Sequence, residues 1–185
     1  MVMPILARND WTVERLATLP DDGNRYEIID GELFVTPTPS MVHQMVCTDF
    51  IRLLDAYVSA LGQELFGSPI GVPFSERTYI EPDVSVVPRV NGKRPRAFSD
   101  AGVLTLVVEV LSPSTARRDR TVKRVMYQKN NVPEYWIVDI DACTIEVWRP
   151  TDTQPHVCRD RLVWQPSPTH PPLEIDVTAF FAGLD

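Results

Sequence analysis

Residues 103–111 read VLTLVVEVL, an apolar run that only Thr105 and Glu109 interrupt. A continuous apolar run of this length predicts a strand that is buried on both faces of a sheet. A glutamate inside such a strand is costly unless a cation compensates its charge. A lysine side chain or a bound metal ion can do so, and the residues alone leave both open. The stretch therefore predicts a buried strand that holds one compensated carboxylate.

The chain after this strand predicts a parallel crossover. A serine or threonine within 112–115 can cap a helix that runs to about Asn130. Residues 134–140 are rich in aromatic and β-branched side chains, which favour a strand. A strand, a helix and a second strand within 104–140 have the length of a right-handed βαβ unit. We therefore expect two neighbouring parallel strands.

An N-terminal hairpin is predicted around Asp30-Gly31, because this dipeptide stands between two alternating segments. A two-residue turn pairs the strands 25–29 and 32–36 and places Glu27 and Glu32 on one face. That face either meets solvent or forms an acidic edge near a metal ion.

The remaining segments supply further elements. A helix is predicted from a Ser40 N-cap to about Leu61, with His43 in its first turn beside an apolar stripe. This histidine either packs in the core or reaches a phosphate or a metal-bound water. Residues 64–74 predict an interrupted strand, and residues 78–87 predict a strand with Asp83 at its middle.

The bulk composition is that of a globular protein. The 185 residues, 44% of them hydrophobic, suit a single domain over 1–185, with a core at about 25–150 and a C-terminal strand and short helix within 173–183. No apolar run approaches the roughly 18 residues of a membrane span. Residues 1–10 contain no long apolar segment and no cleavage signature, so secretion is not expected. Three widely spaced cysteines fit neither a disulfide framework nor a zinc pattern, so reduced cytoplasmic thiols are expected.

The charge pattern bears on nucleic-acid binding. A net charge of −7 argues against a broad nonspecific nucleic-acid coat. Basic residues nevertheless cluster within 89–96, a predicted loop, and within 117–124, a predicted helix. These clusters are either solvated segments or contacts to a substrate backbone.

One constellation can carry chemistry. Asp83 and Glu109, on neighbouring strands, can bind one hard divalent cation such as Mg²⁺ through oxygen ligands. Lys123, on the helix after the Glu109 strand, can orient the attacking water and stabilise developing charge. Arg120 and Tyr127 lie on the same helix face as this lysine by their spacing of three and four, and that face can meet the substrate. A plain buried ion pair of Glu109 with Lys123 explains two of the three residues without catalysis.

Several ordered motifs resemble one family. They are YEIIDGE at 26–32, Pro82-Asp83, VVEVLSPST at 107–115 and VPEYWIVD at 132–139. This set is similar to the Uma2 (DUF820) family, described as "putative restriction endonuclease", of the PD-(D/E)xK nuclease superfamily. The resemblance implies an α/β, mixed α+β fold: a restriction-endonuclease-like mixed β-sheet flanked by helices, with an N-terminal hairpin. It also implies a nuclease that cleaves DNA with Mg²⁺ or Mn²⁺.

The resemblance assigns roles by position. Asp83 matches the PD aspartate, and Glu109 matches the (D/E) position. Leu111 stands where the superfamily has lysine, and Lys123 is the natural substitute. Glu32, Glu27 and His43 are supporting candidates.

Two further expectations concern the whole protein. A homodimer is expected because two-fold symmetry supplies two sites for two strands. A catalytically inactive nucleic-acid-binding or interaction module on the same fold is the alternative function.

Overall fold

The computed structural model of the protein describes residues 10–184, which fall into two compact units. The first unit comprises 10–38 and 71–81, and the second comprises 39–70 and 82–184. A single domain over 1–185 stays a prediction. Residues 1–9, most of the segment expected to lack a signal, lie outside the described residues. Within 10–184 no helix is long and apolar enough to cross a membrane.

The strands of the described residues are β1 (Arg25–Ile29), β2 (Glu32–Thr36), β3 (Gln63–Gly67), β4 (Val72–Ser75), β5 (Thr78–Ile80), β6 (Val84–Pro88), β7 (Leu106–Val110), β8 (Glu134–Asp139), β9 (Thr144–Trp148), β10 (His156–Cys158), β11 (Arg161–Trp164) and β12 (Leu173–Asp176). The helices are α1 (Val13–Leu16), α2 (Met41–Ala60), α3 (Phe98–Ala101), α4 (116–129) and α5 (Val177–Ala182). Helix α4 is α-helical at Ala116–Arg118, π-helical at Asp119–Lys123 and α-helical again at Arg124–Lys129.

The first unit is built on an antiparallel sheet in the order β2-β1-β5-β4. Its hairpin has the predicted register, with Ile29 opposite Glu32, and the turn residues Asp30 and Gly31 have φ of 51° and 86°. Glu32 is exposed, but Glu27 is buried and its Oε1 accepts the backbone N–H of Glu81 at 3.1 Å. A solvent-facing role is therefore wrong for Glu27, because it binds backbone inside the unit.

The second unit is built on a mixed six-stranded sheet in the order β10-β9-β8-β7-β6-β3. Strands β7 and β8 are parallel, as the crossover predicts, and the other pairs are antiparallel. Helix α2 begins at the predicted Ser40 cap, which accepts the backbone N–H of His43. A further two-stranded sheet, β11-β12, precedes α5, so the predicted C-terminal strand and short helix are present.

Strand β7 is buried on both faces, which confirms the reading of the apolar run. Val108 and Val110 belong to the apolar core that includes Phe50 of α2 and Trp136 of β8. Glu109, between these two valines, contacts α4 instead. Side chains alternate between the faces of a strand, so the glutamate lies on the α4 side of the sheet.

Two strand predictions are wrong. Residues 64–74 form two strands, β3 and β4, that belong to different sheets. Residues 78–87 also form two strands, β5 and β6, and the chain leaves the regular pairing at Glu81–Asp83. Pro82 lacks the N–H that a ladder needs, so it favours such a break. Asp83 therefore lies at the entrance to β6 rather than at the middle of a strand.

Candidate active site

Glu109 is the buried carboxylate at the centre of the site. Only 1% of its surface is exposed, and Lys123 donates from Nζ to its Oε1 at 2.8 Å. Tyr127 donates its hydroxyl hydrogen to the same oxygen at 2.9 Å. The lysine compensates the charge, and the tyrosine fixes the orientation of the carboxylate. Both side chains therefore offset the free-energy cost of burying a carboxylate in β7.

The π-helical turn of α4 presents Lys123 to the sheet. Such single turns are rare and occur often at functional sites. Lys123 is fully buried, and its Nζ lies 3.9 Å from Oδ1 of Asp119, one turn earlier. Burial raises the pKa of Asp119 above its ordinary value, and the nearby Lys123 ammonium opposes that rise. The hydroxyl of Tyr135 donates to the Asp119 carbonyl oxygen at 3.2 Å and ties this turn to β8.

Asp83 directly precedes β6, whose first residue, Val84, pairs with Val108 of β7. The backbone N–H of Val110 donates to Oδ2 of Asp83 at 2.9 Å. This bond holds the buried Asp83 carboxylate beside the strand that carries Glu109. The structure thus brings the two predicted acidic residues and Lys123 into one region of the second unit.

His43 connects this region to the surface. Its Nε2 lies 3.1 Å from Oδ2 of Asp83 and 3.1 Å from the carbonyl oxygen of Val110. Both neighbours are acceptors, so Nε2 carries hydrogen and donates. The other ring nitrogen, Nδ1, lies 3.6 Å from Sγ of Cys47, one helical turn further along α2.

An open cleft of about 610 Å³ lies at the ends of these elements. Its wall includes Ser40 and His43 from the start of α2, Leu111 just after β7, and Ile140 just after β8. A cleft beyond the carboxyl ends of parallel strands is a common ligand site in α/β proteins. His43 and Arg120 line the cleft, whereas Asp83, Glu109 and Lys123 are buried behind its wall.

Arg120 does not share the contacts of Lys123. Its guanidinium binds Asp139 at 2.6 Å and Glu146 at 2.7 Å, on β8 and β9. Glu146 pairs through Ile137 with Glu109, so Arg120 reaches the same face of the sheet as Lys123 and Tyr127 but contacts different acids. Burial acts to raise the pKa of Asp139, but the Ala142 N–H and the Arg120 guanidinium outweigh it, and the pKa lies below its ordinary value.

The supporting glutamates of the hairpin, Glu27 and Glu32, belong to the first unit, whereas the contacts described above lie within the second. Their supporting role stays a prediction. Sequence reasoning missed two neighbours of the site, Asp119 beside Lys123 and Cys47 beside His43. A helical spacing of four residues, from Asp119 to Lys123 and from His43 to Cys47, was the available signal.

The donor chemistry distinguishes two kinds of metal. Asp83 and Glu109 offer carboxylate oxygens, the ligands that Mg²⁺ and Mn²⁺ prefer, so these two residues fit a hard divalent cation. His43, Cys47 and Asp83 offer nitrogen, sulfur and oxygen atoms that lie within 4.8 Å of one another. That mixed set fits a softer cation such as Zn²⁺.

Comparisons with known proteins agree with the architecture. The sequence model of the Uma2 family, described as "Putative restriction endonuclease", matches residues 13–178. A solved structure from Anabaena variabilis, described as "a putative nuclease belonging to DUF820", has a TM-score of 0.74 and 22% sequence identity. The match covers 94% of this chain and 99% of that chain. No curated protein matches significantly. The structural likeness confirms the predicted mixed fold of sheets flanked by helices.

Proposed function

The chain belongs to the Uma2 family of nucleases, and from this membership we propose that it is a divalent-metal-dependent endonuclease that hydrolyses DNA phosphodiester bonds. The observation that carries the proposal is the 2.9 Å hydrogen bond from the Val110 N–H to Oδ2 of Asp83, which holds this carboxylate beside the residue that follows Glu109 on β7. Two carboxylates held at one strand end are a ligand set for Mg²⁺ or Mn²⁺.

Each residue of the site has a role in this proposal. When bound, the cation supplies activation of the attacking water and stabilisation of charge on the phosphate. Lys123 compensates Glu109 and allows a charged ligand to persist in a buried strand. Tyr127 keeps the Glu109 carboxylate in one orientation. The Val110 N–H and His43 do the same for Asp83, so both ligands are held by hydrogen bonds before the cation arrives.

The cleft is the proposed place of the DNA backbone. The start of α2 opens onto it, and the N-terminus of a long helix favours an anionic group. The exposed Arg117 lies on the first turn of α4, next to the cleft residue Ala116. Arg120 helps to shape the wall, since its charge is compensated by two acids. These local features can attract phosphate although the net charge is −7.

Nicking of supercoiled plasmid in Mg²⁺ or Mn²⁺ tests the proposal. Asp83→Ala and Glu109→Ala should each lower the nicking rate by about 100-fold or more, the scale on which loss of one stabilising group acts. Glu174→Ala is the matched control, because this glutamate is exposed and pairs with the exposed Arg161 on the β11-β12 sheet. Nicking that survives both substitutions in folded protein refutes the assignment.

A second function is favoured by one observation. Glu109 and Lys123 are at most 1% exposed and neutralise each other, as in a purely structural ion pair. The alternative is therefore an inactive nucleic-acid-binding or interaction module on the same fold. Retention of labelled duplex by the parent, with no nicking in either cation, would identify that module.

The proposal extends to the assembly and its surroundings. A nuclease that cuts both strands is expected to act as a homodimer, because a two-fold axis supplies two sites. Light scattering on the purified protein distinguishes a dimer from a monomer. We also propose a cytoplasmic location, from the three widely spaced cysteines of the sequence.

A further inference from the structure

A second donor set lies next to the proposed nuclease site. His43 and Cys47 are four residues apart on α2, so their side chains lie on one face of the helix. They are 7% and 6% exposed, and Asp83, which contacts His43, is 2% exposed. One ligand atom from each of the three lies within 4.8 Å of the other two. Neither the ion pair of Glu109 with Lys123 nor the proposed hydrolysis uses the thiol.

The distance between the histidine nitrogen and the sulfur matches shared metal coordination. Zinc lies about 2.3 Å from a thiolate sulfur and about 2.0–2.1 Å from an imidazole nitrogen. At a tetrahedral angle these lengths place sulfur and nitrogen about 3.6 Å apart. Sγ of Cys47 lies 3.6 Å from Nδ1 of His43. The pair can therefore take up a tetrahedral cation with little movement of the helix.

The hydrogen bonds of His43 engage Nε2 and leave Nδ1 to bind a metal ion. Nε2 donates to Asp83 and to the Val110 carbonyl oxygen, so the neutral ring presents a lone pair at Nδ1, towards Cys47. A carboxylate that accepts from the far nitrogen of a metal-binding histidine fixes the ring and raises its basicity. Asp83 can act in this way, or it can turn and bind the cation directly. His43 lines the cleft, which gives ions a path to the site.

We propose that His43, Cys47 and Asp83 form a binding site for a thiophilic divalent cation of the Zn²⁺ class. Binding converts the Cys47 thiol to a metal-bound thiolate, and its proton passes to solvent. Asp83 also belongs to the proposed magnesium site, so a soft cation that Asp83 binds directly removes a ligand from that site. This competitive consequence rests on the proposed nuclease function, whereas binding of the soft cation does not.

Cadmium alone is the probe for binding, followed by its ultraviolet thiolate-to-metal charge-transfer band. Two single-thiol proteins separate the cysteines: Cys143→Ser with Cys158→Ala keeps Cys47, and Cys47→Ala with Cys143→Ser keeps Cys158. The second protein is the matched control, because Cys158 is also buried but lies outside the donor set found within residues 10–184. We expect a saturable band of one equivalent with Cys47, and affinity at least about 100-fold weaker with Cys158.

Further variants of the Cys47 protein test the other ligands. His43→Gln and Asp83→Asn should each weaken cadmium binding by at least about 10–100-fold, the range for loss of a residue that supports a metal ligand. Equal bands in the two single-thiol proteins, or unchanged affinity in both ligand variants, overturn the proposal. If a variant does not fold, the cobalt spectrum of the Cys47 protein still decides, because absence of a thiolate charge-transfer band refutes the site. Zinc inhibition of plasmid nicking, relieved by Cys47→Ala, separately tests the competition.

Discussion

Replacement of Lys123 by methionine removes the ammonium group that donates to Oε1 of Glu109 from α4. The substitution keeps the length and most of the volume of the side chain, so packing beside β7 changes little. Glu109 then remains in a strand in which all five residues are buried. Tyr127 still donates to Oε1, but one neutral hydrogen bond does not replace an ammonium group at 2.8 Å.

The expected loss follows from the burial of the pair. Removing one partner of a buried ion pair typically costs about 3–5 kcal/mol, because an uncompensated charge remains. Lys123 and Glu109 are 0% and 1% exposed, so screening by water offers little relief. The double variant Glu109→Gln with Lys123→Met removes both charges. It should regain about 2 kcal/mol or more relative to Lys123→Met alone.

Urea unfolding followed by tryptophan fluorescence measures these differences. Trp136 and Trp164 are buried, so their emission reports global unfolding. Lys129→Met is the control, since this lysine is exposed on the last turn of the same helix and should change the free energy of unfolding by less than about 0.5 kcal/mol. The reasoning is refuted if Lys123→Met costs less than about 1 kcal/mol, or if the double variant is no more stable than the single one.

Three other predictions concern charge and backbone conformation. Because burial raises the folded-state pKa of Asp119, its contribution to stability is present below the ordinary pKa of 3.8 and is lost as pH rises through the folded-state pKa. Asp119→Asn should reduce this loss of stability in urea titrations carried out from acid towards neutral pH. The pKa of Asp139 is lowered, so its contribution is present above 3.8 and is lost as pH falls through the folded value; Asp139→Asn should reduce the acid sensitivity of thermal unfolding below about pH 4. Gly31 has φ of 86°, where a β-carbon is strained, so Gly31→Ala should lower the free energy of unfolding by about 1–2 kcal/mol, and a neutral result in chemical denaturation would contradict the turn geometry.

Local patterns predicted much of the fold. The Asp-Gly turn fixed the register of the hairpin, and the apolar run around Glu109 identified the buried strand β7. The helix between β7 and β8 follows from the capping residues within 112–115 and from the length of the crossover. These features depend on residues close in sequence, so one chain is sufficient to recognise them.

Other features depend on contacts between distant segments. The run 78–87 is rich in strand-forming residues on both sides of Pro82, and nothing local shows that its two halves join different sheets. The first compact unit combines 10–38 with 71–81. Because these segments are separated in sequence, no single change of composition along the chain marks the border between the two units. The π-helical turn at Asp119–Lys123 has no sequence signature, and the two acids that bind Arg120 lie on later strands.

The candidate site was predicted in part. The compensation of Glu109 by Lys123 was one of two alternatives that the sequence left open, and the structure contains that ion pair. The roles of Asp83, Glu109 and Lys123 in catalysis stay predictions. The sequence predicts only a reduced thiol at Cys47. Cys47 and Asp83 are far apart in sequence, so the pattern does not show that both contact His43.

Binding of Mn²⁺, measured from the loss of the free-ion signal in electron paramagnetic resonance, tests most directly whether Asp83 and Glu109 hold a hard cation. The parent should bind one ion, and Glu109→Gln and Asp83→Asn should each bind it at least about 10-fold more weakly. Cys47→Ala should bind it like the parent, because Mn²⁺ prefers oxygen ligands to thiolate. Equal Mn²⁺ affinity in the parent and in both carboxylate variants, with all proteins folded, would contradict the account.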